Sequence, residues 1–167
     1  RLQDSRHPHL PGIAVFTLNE PVCDRMYPVG FDALKYLSAW GPTVLLTDGD
    51  GVFQPLKIVL SGLFDAVEGR VLLYVHKELE LDDIERRYPA DHYVMVDDKV
   101  RLLTAMKRIW GERLTTIFPR QGHYAVDPDV AGYPAPDVTI DRIADLLGLD
   151  PPPVVPPRIR SRRPPKP

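Results

Sequence analysis

A single cysteine, Cys23, stands in 167 residues, so no disulfide can form within the chain. That fits a reducing compartment, and a cytoplasmic protein is expected. No histidine lies near Cys23 in sequence to activate it as a nucleophile. No apolar stretch approaches the roughly 20 residues that span a bilayer. The opening residues Arg1–Pro8 lack the apolar centre of a secretory signal. There is no surplus of positive charge: 21 Lys and Arg against 23 Asp and Glu leave a net −2. This balance argues against nucleic acid and against a membrane surface as partners. Histidines are few, and His7 and His9 stand apart from the rest, with no zinc-site spacing. No segment repeats. The chain does not begin with methionine, which predicts a processed chain or a fragment.

What is present suits one domain with a real core, since 44% of the residues are hydrophobic and 26% charged. Proline is plentiful, 19 in all, and is concentrated at one end. Residues 151–167 carry five basic side chains and no acidic one, which leaves 16 basic and 23 acidic residues in 1–150. Such a tail has no apolar periodicity to bury and predicts polyproline II or disorder, with an unknown partner if it has one. Residues 1–12, with Pro8, Pro11 and Gly12, read as a loose arm. The domain itself is then 13–150.

Within it, Ile13–Leu18 is a short apolar run that period alone cannot assign to strand or buried helix. Gly30 to Trp40 reads as a helix, with Phe31, Leu34 and Leu37 on one stripe and Gly41-Pro42 as its stop. Strands over 43–47, 70–75, 92–96, 113–118 and 137–140 alternate with helices over 54–63, 79–88, 99–110 and 143–147. Alternation of this kind predicts crossover units and a doubly wound, Rossmann-like, mostly parallel α/β sheet. The strands are apolar throughout rather than alternating, as expected when helices cover both faces. Tyr93, Trp40 and Trp110 are assigned to packing.

Ligands of such sheets bind at the carboxyl ends of the strands. Four of the strands end in polar residues. Thr47-Asp48-Gly49 offers a hydroxyl and turn N–H groups that suit phosphate oxygens. Lys77, 30 residues on, offers an ammonium; read alone, His76-Lys77-Glu78 is a surface run, and His76 is expected to be structural. Asp97-Asp98, 20 residues beyond Lys77, places two carboxylates together, which repel unless a cation or hydrogen bonds compensate them. Hard oxygen ligands of this type suit Mg2+. Asp98 is also placed to cap the helix that begins near Lys99. Arg120, Gln121 and His123 follow the next strand and belong to the same rim, as substrate contacts or as an ordinary polar loop.

The order of hydroxyl, lysine and acidic pair, each separated by strand and helix, resembles motifs two, three and four of the haloacid-dehalogenase-like hydrolase superfamily. Leu46-Thr47-Asp48-Gly49-Asp50, with Gln54, Lys57 and Ser61-Gly62-Leu63-Phe64-Asp65 after it, is similar to the second motif and its helix. His76-Lys77-Glu78 and Val94-Met95-Val96-Asp97-Asp98-Lys99 are similar to the third and fourth. The resemblance spans about residues 13–148. It implies Mg2+-dependent hydrolysis of a small phosphorylated metabolite, of the phosphatase type. Thr47 and Lys77 would hold the phosphoryl group, and Asp97 with Asp98 the metal.

One motif is missing. The family's nucleophile, the first aspartate of Asp-x-Asp after the first strand, has no counterpart before Thr47. Thr17 and Asn19 stand where a degenerate copy would lie. The favoured expectation is that Ile13–Gly30 corresponds to the segment returning from the family's cap, with the first strand and most of the cap upstream of Arg1. Its removal would leave the strands of motifs two and four without a partner, a gap that the Ile13–Leu18 run could fill. Little or no turnover is expected of such a chain. In a second reading the phosphatase is intact, with Asp48 as nucleophile, Asp50 as acid and base, and Ser61 supplying the hydroxyl. Only ten residues separate Asp50 from Ser61, too few for a parallel crossover. A non-catalytic anion-binding or interaction module is the third reading. A receiver-like signalling domain is disfavoured, because its acidic pair precedes the Thr and Lys.

Overall fold

The computed structural model describes residues 10–17, 29–48 and 53–152. The expectations for Cys23, His7, His9, Asn19, Gly49, Asp50 and the tail beyond Pro152 lie outside the described residues. So does the side chain of Asp48.

Apolar runs long enough for strands become strands here because each can be buried on both faces. They are Leu10–Thr17 (β1), Thr43–Asp48 (β2), Val71–Tyr74 (β3), Ala90–Val96 (β4), Leu114–Pro119 (β5) and Val138–Ile140 (β6). All pair in parallel in one sheet of order β3-β2-β1-β4-β5-β6. The α-helices are Gly30–Ser38 (α1), Phe53–Leu60 (α2), Leu63–Ala66 (α3), Leu81–Arg87 (α4) and Val100–Trp110 (α5). This is the doubly wound α/β sheet expected from the alternation.

The two faces have separate cores. One joins Leu46, Met95, Tyr93, Leu103, Met106 and Trp110 beneath α4 and α5, and the Tyr93 and Trp110 rings stack at 4.2 Å. The other joins Leu34, Leu37, Leu45, Ile58, Val96 and Ile117 beneath α1, α2 and α3. Right-handed crossovers explain the division. From β1 the chain winds outward to β3 over one face, then returns across the sheet to β4 and winds outward over the other. The winding direction therefore reverses between β1 and β4, and the strand order diverges there.

The ambiguous run over 13–18 resolves as strand and begins earlier than the arm over 1–12 allows, at Leu10. It occupies the central slot, with Ala14 level with Thr43 on one side and Val94 on the other. The slot explains the outcome: strands on both sides offer unpaired backbone groups, which a helix cannot satisfy. The helix over 54–63 breaks at Ser61-Gly62, where Gly62 adopts φ +77° and a new turn starts. The helix over 79–88 starts later, at Leu81, after a 3-10 turn at Lys77–Leu79. The last helix is a 3-10 segment, Ile143–Gly148, whose first N–H groups are held by the Asp145 and Gln121 side chains. Six residues are too few to make an α-helix cooperative. Among the described residues, no helix is long and apolar enough to cross a membrane.

Candidate active site

At the carboxyl rim, the register sets the layout. Thr17 ends β1 level with Leu46, and Phe16 is level with Val96. Thr47 thus stands one residue above the end of β1 on one side, and Asp97, one past Val96, stands level with Thr17 on the other. Neighbouring strands lie about 4.8 Å apart, so the two flank the central strand end. Thr47 and Asp97 are buried, at 1% and 2% exposure.

Lys77 comes from β3, an edge strand three places from β4. The 3-10 turn at Lys77–Leu79 bends it inward, and its side chain is 0% exposed. Its Nζ donates to Asp97 Oδ2 at 2.9 Å. To reach that oxygen the side chain must cross above the ends of β2 and β1. The ammonium therefore sits over the point where the winding reverses, the expected ligand position of such a sheet. Burying two charges costs several kcal/mol per ion, offset here by their short contact and further hydrogen bonds.

Asp97 Oδ1 accepts the Lys99 N–H at 2.8 Å. A carboxylate thus serves the backbone just ahead of α5, and it is that of Asp97. An aspartate readily accepts the N–H two residues on, whatever its neighbour does. Asp98 is left half-buried, turned toward the loop after β5, where it abuts Gly122.

That loop holds the three remaining rim candidates. Arg120 is exposed and paired with Asp141 at 2.5 Å, and Gln121 Oε1 accepts the Ile143 N–H at 2.9 Å. Both are directed toward β6 and the turn beyond it. The His123 ring meets Tyr124 edge-on at 5.3 Å, and Lys99 Nζ lies 4.3 Å from the centre of the Tyr124 ring. His76 is exposed. Ser61 lies at the carboxyl end of α2 and donates to Ile58 O at 3.0 Å. The structure thus brings Lys77 and Asp97 into contact beside Thr47, and Asp98 against the β5 loop.

Sequence reasoning missed Gly122 and Tyr124, whose partners come from another strand. A glycine three residues past a strand end was the available signal.

Charge and donor type decide what the rim can hold. Lys77 and Asp97 form a buried ion pair, and Asp98 adds a second carboxylate next to Asp97 in the chain. Two carboxylates are a sufficient protein contribution for Mg2+, which keeps waters and takes substrate phosphate oxygens as well. They do not suit a zinc centre, and no group of three His, Cys, Asp or Glu side chains converges among the described residues.

No protein-family profile matches the chain, and no curated protein does. Among the similar solved structures are two hydrolases. One is a haloacid dehalogenase-like hydrolase from Burkholderia xenovorans LB400, 60% identical over 79% of this chain, with a TM-score of 0.75. The other is a haloacid dehalogenase-like family hydrolase from Xanthomonas campestris, 23% identical over 73% of this chain, with a TM-score of 0.56, a likeness of fold. The chain spans 61% of the first protein's length and 52% of the second's.

Proposed function

Because the chain belongs to the haloacid-dehalogenase-like hydrolase superfamily, we propose that its carboxyl rim is a Mg2+-dependent phosphate-monoester site of the phosphatase type, able to bind a phosphoryl group but not to turn it over. The observation that carries this reading is the buried Lys77–Asp97 pair above the central strand end. A lysine withdrawn from water and aimed at a strand rim serves stability poorly, since an apolar pair of equal volume often does as well. It serves a charged ligand well.

In this reading Thr47 and Lys77 hold the phosphoryl oxygens. Asp97 and Asp98 hold Mg2+, which when bound supplies positive charge to the phosphoryl oxygens. Asp97 is shared, since Lys77 and the Lys99 N–H already take part of its capacity. Its metal should be weakly held. The substrate class is a small phosphorylated metabolite.

Turnover needs a nucleophile beside the phosphorus atom. The described end of the central strand is Thr17, a neutral hydroxyl that gives no aspartyl-phosphate. The reading with Asp48 as nucleophile needs the Ser61 hydroxyl at the rim, and the place of Ser61 at the end of α2 weighs against it. A non-catalytic anion-binding role differs from ours only in the ancestry it assumes. The test is hydrolysis of a generic phosphate monoester with Mg2+. Turnover indistinguishable from buffer is expected. Turnover abolished by Asp48→Asn would revive the intact phosphatase.

A further inference from the structure

We propose that Gly122 is a positioning residue: its bare backbone fixes where the Asp98 carboxylate sits. The proposal rests on the reading of Asp98 as a Mg2+ ligand.

Two independent features require glycine at 122. Its φ is +103°, a region L side chains rarely adopt. A Cβ built there would stand 2.5 Å from Asp98 Oδ2 and 3.5 Å from its Cγ. Such a contact is too short to persist, so either the carboxylate or the loop must move. The loop is braced. Arg120 N–H donates to Ile140 O at 2.8 Å, its guanidinium pairs with Asp141, and Gln121 holds the Ile143 N–H. A Cβ at 122 meets the outer end of the Asp98 side chain, so against a braced loop the carboxylate is displaced. Tyr124, on the far side of Gly122, lies under the Lys99 ammonium. The loop thus grips the acidic segment at two points, through Gly122 on Asp98 and through Tyr124 on Lys99. Arg120 and Gln121 then act at the rim indirectly, as braces.

Gly111 supplies the comparison. It too has positive φ, at +54°, yet a Cβ there meets nothing within 4 Å. Gly111→Ala reports backbone strain alone, whereas Gly122→Ala reports strain and the clash with Asp98.

The experiment is a double-mutant cycle on the full chain with Gly122→Ala, Asp98→Gly and their combination, beside Gly111→Ala. Thermal midpoints and calorimetric titration with MgCl2 alone are the readouts. Gly122→Ala should lower the midpoint more than Gly111→Ala does, and the excess should vanish in the Asp98→Gly background. The Mg2+ dissociation constant should rise about tenfold in Gly122→Ala and stay unchanged in Gly111→Ala. If Gly122→Ala does not fold, rescue by the added Asp98→Gly supports the proposal and failure of rescue overturns it. An equal loss with and without Asp98 also overturns it. Coupling in the cycle with no Mg2+ uptake by the wild type keeps the positioning contact and removes the metal reading instead.

Discussion

A lysine side chain with 0% exposure that pairs with a carboxylate is a costly residue to keep. Removing either charge strands the other. Lys77→Met should therefore destabilise the fold by about 3–5 kcal/mol, read from urea denaturation. Adding Asp97→Asn should restore most of it, because no uncompensated charge remains. A Lys77→Met protein as stable as the wild type would mean that the pair is solvated. In sequence, Lys77 sits between His76 and Glu78 and is indistinguishable from a surface lysine. Only its distance from Thr47 and Asp97 set it apart. That Asp97 takes the Lys99 N–H was not legible, since adjacent aspartates differ only in the direction the backbone gives them. Arg120 and Gln121 were placed on the right loop, but their partners, Asp141 and the Ile143 N–H, come from beyond β6. Sequence spacing carries no sign of those contacts.

Among the elements, β1 matters most. Its register pairs it on both sides, with Thr43–Leu46 and with the length of β4. A proline there removes a ladder hydrogen bond in a central strand. Val15→Pro should cost at least about 3 kcal/mol and abolish cooperative unfolding in a thermal scan followed by circular dichroism. A variant that still melts cooperatively near the wild-type midpoint would show that β1 is dispensable to the sheet. The strands β2 to β6 could be read from apolar runs bounded by turn residues, because burial on both faces leaves that mark in composition. β1 could not, since a run this short is compatible with helix until the vacant slot between β2 and β4 is known. Leu79 and the 3-10 turn at Ile143–Gly148 were read as helix, within 79–88 and 143–147, because apolar spacing is similar over so few residues. Tertiary demands decide them: Lys77 must bend inward, and Gln121 takes the first N–H of the last turn.

Across the whole molecule, the edge of the sheet opposite the site sets the response to acid. His92 on β4 is buried, and burial holds its imidazole below the usual range, with Lys107 and Arg113 opposing protonation and Asp137 favouring it. Its Nε2 meets Thr115 Oγ1 at 2.8 Å, and its Nδ1 has no hydrogen-bond partner among the described residues. For Asp137, burial acts upward, but the Thr116 N–H and hydroxyl and the Lys107 ammonium outweigh it and hold the carboxyl low. Both groups bind protons more readily unfolded than folded. Their stabilisation is complete above the unfolded values and is lost as pH falls toward the folded ones. The melting midpoint should begin to drop below about pH 6.5, the ordinary histidine value, and again below about 3.9, that of aspartate. His92→Gln should flatten the upper phase and Asp137→Asn the lower. A wild-type midpoint constant between pH 7 and 5 would contradict the place given to His92.

In the proposed site Mg2+ joins the carboxylates to the phosphoryl oxygens, so phosphate and metal should bind together. Titration of the full chain with inorganic phosphate, followed by calorimetry with and without MgCl2, reads this directly. Phosphate should bind only with Mg2+ present, and Lys77→Met with Asp97→Asn, which leaves the fold in place, should abolish binding. Phosphate uptake that ignores Mg2+, that survives the double substitution, or that never occurs at all would contradict a phosphoryl site at the end of the central strand.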